Sequence, residues 1–170
     1  RESPQDSSIM IDTPTIQRTI AQRTSTIHLT IPGRDMPSYM DPAIKEIQKA
    51  LSDQGIRPAG PLFSYHHRMP SETFDFEIGF PVEAEVKPAG RVRSSELPAA
   101  HVARTIYHGP YEGLGDAWRA FGQWVKDQGL DADSRFYECY LDDPTKTDPS
   151  AYRTEINRIL IDHRPNTHVL

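Results

Sequence analysis

The residues of this chain best suited to chemistry are carboxylates set among aromatic rings. Glu155 stands in the middle of Tyr152-Arg153-Thr154-Glu155-Ile156-Asn157-Arg158-Ile159-Leu160, a stretch with the β-branched and apolar content of a strand. Alternation turns its carboxylate to the face opposite Thr154 and Ile156. On that face it either meets water, paired with Arg153 or Arg158, or lines a cavity. An unpaired carboxylate in a cavity is costly to bury, so an empty pocket would raise its pKa or hold water. A cation about 4 Å away would gain on the order of 4 kcal/mol at an effective dielectric near 20. The same raised pKa would suit a general acid.

Rings surround this candidate in the sequence. Tyr140 shares a strand face with Glu138, and both could look toward the strand that carries Glu155. Trp118 lies on the apolar stripe of a helix formed by Leu114, Ala117, Trp118, Phe121 and Val125. Gly122 follows one turn later, where a glycine costs about 1 kcal/mol against alanine; it would leave room for the indole or for a ligand. Tyr111, after Gly109-Pro110, could reach over a cleft mouth or staple the turn. Tyr65 and Tyr107 are further wall candidates, with core packing as the alternative. Phe74, Phe76, Ile78 and Phe80 share one strand face and read as core.

Other chemistries are not supported. His66, His67, His101 and His108 show no His-x-x-x-His spacing, so no metal is expected. Gly113 and Gly115 do not complete a phosphate loop, and there is no nucleophile elbow for a serine triad, so neither a cofactor nor a triad is expected. Arg91, Arg93 and Arg104 read as a solvated strand face. The net charge of -5 argues against nucleic-acid binding, which needs a basic patch. Cys139 is the only cysteine, which excludes an internal disulfide and fits a reducing cytoplasm. Mean hydropathy is -0.62, and no apolar run approaches the roughly 20 residues of a membrane span. The sequence begins at Arg1, so an upstream leader or DNA-binding module could have been lost.

The elements that must position these residues come in two sets. After a polar tail (1–14), strand-like residues run from Thr15 to Ile31. A helix is expected from an Asp41 N-cap with Pro42 at its first position, and Gly55 ends it. Two strands around 62–66 and 73–80 form a hairpin. Residues 91–107 are strand-like again; the Leu114 helix closes at Gly129, and strands around 136–141 and 152–160 follow. Asp53-Gln54-Gly55-Ile56 returns as Asp127-Gln128-Gly129-Leu130, and Phe76-Glu77-Ile78 returns as Thr154-Glu155-Ile156. The chain therefore reads as an α+β domain of two β-α-β-β repeats, 15–82 and 91–162, with a tail at 163–170. Pairing them gives a curved antiparallel sheet with both helices on one face and a cleft between the helices.

His108-Gly109-Pro110-Tyr111-Glu112-Gly113-Leu114, Glu138-Cys139-Tyr140-Leu141-Asp142-Asp143-Pro144, Tyr152-Arg153-Thr154-Glu155-Ile156 and Phe76-Glu77-Ile78-Gly79-Phe80-Pro81-Val82 resemble the GyrI-like (gyrase-inhibitor-like) effector-binding domains, found as the ligand-sensing halves of AraC- and MerR-type regulators. The resemblance runs from about Thr15 to Leu160. It implies the duplicated fold and a small hydrophobic, cationic aromatic ligand held in the cleft for sensing, sequestration or multidrug binding. By resemblance Glu155 would be the central residue, with Tyr111 and Tyr140 as walls; Trp118, Tyr65, Tyr107 and Glu138 join them as candidates from the residue pattern alone. It also implies two alternatives: hydrolysis of strained, cyclopropane-type electrophiles using Glu155, or a gyrase-inhibitor-type role in protein interaction. No helix-turn-helix precedes the domain in this sequence, so direct nucleic-acid binding by this chain is not expected, nor is membrane association.

Overall fold

The structure, a computed structural model, describes residues 10–161. The expected tail at 163–170 lies outside them. The strand-like run from Thr15 divides at Ile20-Ala21 into β1 (Thr15–Thr19) and β2 (Gln22–Pro32). Pro98 divides the later run in the same way, into β5 (Arg93–Leu97) and β6 (Ala100–His108), because a proline cannot donate to a ladder. The other strands are β3 (Phe63–His66), β4 (Thr73–Pro81), β7 (Ala132–Tyr140) and β8 (Arg153–Leu160), and all pair antiparallel in the order β1-β6-β8-β7-β3-β4-β2-β5.

This order forces the sheet to curl. In a flat sheet β5 and β6 would stand six strand spacings apart, about 29 Å. Pro98 and Ala99 alone join them, and that link reaches about 11 Å when extended. Ile20-Ala21 imposes the same demand on β1 and β2. The two links meet, since Thr19 Oγ1 donates to the carbonyls of Pro98 and Ala100 at 3.3 and 3.2 Å. The result is a curved α+β half-barrel. Its inner face is packed with Phe63, Tyr65, Val102, Tyr137 and Ile159, with Leu97 and Ala100 from opposite ends of the sheet closing against them.

Helices α1 (Met36–Asp53) and α2 (Leu114–Asp127) cover the outer face. Ala43, Ile47 and Leu51 of α1 pack on Ile27, Phe76 and Ile78, while Ala117, Phe121 and Val125 of α2 pack on Ala103 and Ile156. The expected start of the first helix is not the one used. The helix begins at Met36 and carries Pro42 inside it, because Met36 and Met40 extend the stripe that packs on the core. That burial offsets the hydrogen bond the proline cannot make. Gly55 and Gly129 end the helices with φ of 70° and 71°, as expected of left-handed caps.

Two further points differ from the sequence reading. Residues 10–12, placed in the tail, are tied to β6: His108 N donates to the Met10 carbonyl at 2.7 Å, and Asp12 N to that of Ile106 at 3.0 Å. The halves also exchange their edge strands, since β1 pairs with β6 of the second half and β5 with β2 of the first. The pseudo-twofold passes between β3 and β7, where Ser64 lies opposite Glu138.

Candidate functional site

Strand alternation sorts the candidate residues onto two faces. On β7, Tyr137 and Cys139 point into the half-barrel, so Phe136, Glu138 and Tyr140 point out toward the helices. There Trp118 of α2 donates its indole N–H to Glu138 Oε2 at 2.7 Å, and the Tyr140 hydroxyl donates to Oε1 at 2.7 Å. Ser64 Oγ lies 2.8 Å from that hydroxyl, and His66 Nε2 lies 3.2 Å from Ser64 Oγ. Because Tyr140 gives its only proton to Glu138, it must accept from Ser64, and Ser64 in turn must accept from His66 Nε2–H. Four side chains thus form a chain of donors that ends on one carboxylate.

None of those donors carries a charge. Among the described residues no ion pair involves Glu138. Burial pushes its carboxyl pKa up, and the bonds from Tyr140 and Trp118 oppose that rise. His66 is stacked between Phe76 and Phe136, with ring centroids 4.9 and 4.4 Å away. Burial depresses its pKa to about 3, and its Nδ1 is buried with no hydrogen-bond partner. The imidazole is therefore neutral at ordinary pH and cannot offset the carboxylate.

Aromatic rings complete the surroundings. Trp118 meets Phe136 edge-on at 4.9 Å. Tyr111, 38% exposed, stacks on Tyr152 at 4.7 Å and meets Tyr140 edge-on at 5.8 Å. Tyr107 does not line this space. Its hydroxyl donates to the Pro110 carbonyl at 2.8 Å, and a Cβ on Gly113 would come within 2.0 Å of it, so the phenol braces the turn that presents Tyr111. Gly122 is not needed to seat the indole, since a Cβ there would meet no atom within 4 Å.

Glu155 lies on the inner face, beside Cys139 across the ladder. Asn157 Nδ2 donates to its Oε1 at 3.1 Å, and Arg104 Nε sits 3.5 Å from the same oxygen while donating to Asn157 Oδ1 at 2.6 Å. Arg104, read from the sequence as a solvated strand residue, is thus a built counter-ion. Tyr65 is on this face too, against Tyr137 and within 3.4 Å of Arg135 Nη1. Of the residues singled out from sequence, the structure brings Glu138, Tyr140, Trp118 and Tyr111 together and leaves Glu155, Tyr65 and Tyr107 elsewhere. Ser64, His66, Phe136 and Tyr152 complete the cluster and were not named for it. Tyr152 was visible within a quoted motif, whereas Ser64 and His66 become relevant only through the β3–β7 pairing. A surface hollow at the end of α1, lined by Leu51, Arg57 and Phe80 among others, lies apart from this cluster and holds no carboxylate.

The GyrI-like small molecule binding domain matches residues 13–157, and the chain belongs to that family. No curated protein matches it in sequence. Among solved structures it is similar to EcmrR in an EcmrR–DNA complex (21% identity, TM-score 0.75), where it covers 89% of this chain and 57% of the other, so it spans little more than half of that relative. The isolated EcmrR C-terminal domain gives 21% identity and a TM-score of 0.75 over 88% of this chain and 97% of the other. SAV2435 bound to tetraphenylphosphonium is similar at 11% identity and a TM-score of 0.64, over 92% and 99% of the two chains. A hydrolase from Listeria innocua is similar at 12% and 0.61, over 88% and 92%. At these identities the likeness is one of fold. No helix among the described residues is long and apolar enough to cross a membrane.

Proposed function

We propose that this small-molecule-binding domain takes a hydrophobic, aromatic cation on the helix side of the sheet. Glu138 would match the charge, and Trp118, Tyr140, Tyr111 and Tyr152 would lie against the rings. The observation that carries this reading is a half-buried carboxylate, its pKa raised by desolvation, that is met only by neutral donors. Such a group is costly to keep charged, and a cation about 4 Å away recovers on the order of 4 kcal/mol at an effective dielectric near 20. Each good cation–π contact adds about 0.5–2 kcal/mol. Glu155 fits the role less well because Arg104 already meets its charge. Tyr111, the most exposed ring of this cluster, would be the one to move aside for the ligand. The lipophilic cation held by SAV2435 on the same fold supports the ligand class, and the role is sensing or sequestration.

Titration with tetraphenylphosphonium, read by tryptophan fluorescence and calorimetry, tests this. Saturable 1:1 binding is expected, weakened at least about tenfold by Glu138→Gln and left within about twofold by Glu155→Gln. Equal binding to the Glu138→Gln variant, or of an uncharged analogue to the native protein, would overturn the reading. A raised carboxyl at the end of a donor chain also suits a general acid, and the hydrolase of the same fold keeps that second reading open. Multiple turnover of a strained electrophile, lost in Glu138→Gln, would select it over binding.

A further inference from the structure

The face of the sheet away from the helices carries a second cluster, in the first half of the chain, that ligand binding at Glu138 does not use. His28 on β2 and Asp75 on β4 are diagonal neighbours on that face, since His28 is paired with Glu77 and Thr30 with Asp75. His67 follows β3, and its backbone N–H donates to the Asp75 carbonyl at 2.9 Å. One ligand atom from each of His28, His67 and Asp75 lies within 4.8 Å of the others. We propose that these three side chains form a binding site for a divalent transition-metal ion, with Glu77 as the residue that orients His67.

The hydrogen bonding around His67 carries the inference. Its Nε2 lies 2.6 Å from Glu77 Oε2, and Glu77 Oε1 accepts from Thr26 Oγ1 at 3.1 Å. The carboxylate is thereby fixed and holds the imidazole proton on Nε2. In the neutral imidazole this leaves Nδ1 as the lone-pair nitrogen, 3.7 Å from Asp75 Oδ1. Two acceptors that face each other call for a cation between them. A carboxylate that takes the far N–H of a ligating histidine is the usual outer support of such sites. His28 Nε2 lies 2.5 Å from the same Asp75 oxygen. In its Nδ1–H tautomer it supplies a second neutral imidazole.

Two imidazoles and one carboxylate suit Zn²⁺, Co²⁺, Ni²⁺ or Cu²⁺, and not the all-oxygen preference of Mg²⁺ or Ca²⁺. Metal bonds of about 2.0–2.2 Å hold tetrahedral ligand atoms about 3.4 Å apart. Small side-chain rotations would therefore suffice: His28 and Asp75 part slightly, and the more distant atoms close. His28 is 55% exposed, which leaves a path for the ion and open positions for water. Arg68 Nε, 3.9 Å from Asp75 Oδ2, takes the oxygen the metal does not need. The sequence expectation of no metal rested on spacing within a single element. This set draws one residue from each of three segments that only the sheet brings together.

Tag-free protein titrated with Zn²⁺ by calorimetry, and with Co²⁺ by its visible absorption, tests the site. One ion per chain is expected. His67→Ala or Asp75→Asn should weaken binding at least about a hundredfold, and Glu77→Gln, which keeps all three ligands, about 10–100-fold. His101→Ala, His108→Ala and Glu138→Gln should leave it unchanged; the last separates this site from the ligand site. In native protein without metal, NMR should find the His67 proton on Nε2, a reading that does not depend on any variant folding. Absence of binding at micromolar metal, binding that survives His67→Ala combined with Asp75→Asn, or a proton on His67 Nδ1 would overturn the proposal.

Discussion

Glu138 and Glu155 sit on adjacent strands of one sheet, across the ladder from Ile156 and Cys139 respectively, and their circumstances are opposite. Glu155 faces the packed interior of the half-barrel and is met there by Arg104 and Asn157. Glu138 faces the helices and is met only by an indole and a phenol. A half-buried charge with a built counter-ion serves the fold; a half-buried charge with none is free to meet a ligand's. The pseudo-twofold sharpens the contrast. Glu77 and Glu155 occupy matching places on β4 and β8, and each faces a basic side chain on the inner face, His67 at 2.6 Å and Arg104 at 3.5 Å. The place matching Glu138 holds Ser64, so the carboxylate on the helix side has no counterpart in the first half.

Four measurements would break or sharpen this comparison. The largest effect is expected from the donor chain itself. His66 is held to about 3 from an ordinary 6.5, so the unfolded chain binds the extra proton between those values. Stability is full above pH 6.5 and falls with decreasing pH, by up to roughly 5 kcal/mol at the acid end. Urea denaturation between pH 6.5 and 5 should show that slope in a Glu138→Gln background, which removes the opposing contribution of the raised carboxyl, and His66→Phe should flatten it. Glu138 has the reverse sign: its raised carboxyl contributes stability at low pH that is lost as pH rises through its folded value. Glu138→Gln should remove that decline with rising pH while lowering ligand affinity.

Arg104→Met is the matching test of the other face. It leaves Glu155 and Asn157 without their partner, at a cost of about 1–3 kcal/mol in denaturant unfolding, and should not change affinity for tetraphenylphosphonium. A change in affinity as large as that of Glu138→Gln would erase the distinction between the faces. The smallest effect is expected at Gly122, where the space for a Cβ is open. Gly122→Ala should raise stability by about 0.5–1 kcal/mol through helix propensity alone, with binding intact.

Much of the fold was legible in the chain. The duplicated element order, the β3–β4 hairpin, the apolar stripes of both helices and the glycine caps are local signals, and each reappears in the structure. The misreadings are those that depend on distant partners. Met36 and Met40 draw the first helix past its expected cap through tertiary burial, and the exchange of β1 and β5 has no local mark. At the site, Trp118, Tyr111, Tyr140 and Glu138 were within reach because their motifs surround the second helix. The surroundings of Glu155 were not legible, because alternation shows that it opposes Ile156 without showing which face the helices cover.

By itself the sequence determined a two-repeat α+β domain, the family to which it belongs, and a short set of acidic and aromatic candidates, because periodicity, caps and motifs are properties of neighbouring residues. Only the tertiary structure decided which carboxylate has a counter-ion and which has none, because that balance is set by side chains on different strands. Arg104 reaches Glu155 across β6 and β8, and no charged group reaches Glu138 from β3 or α2.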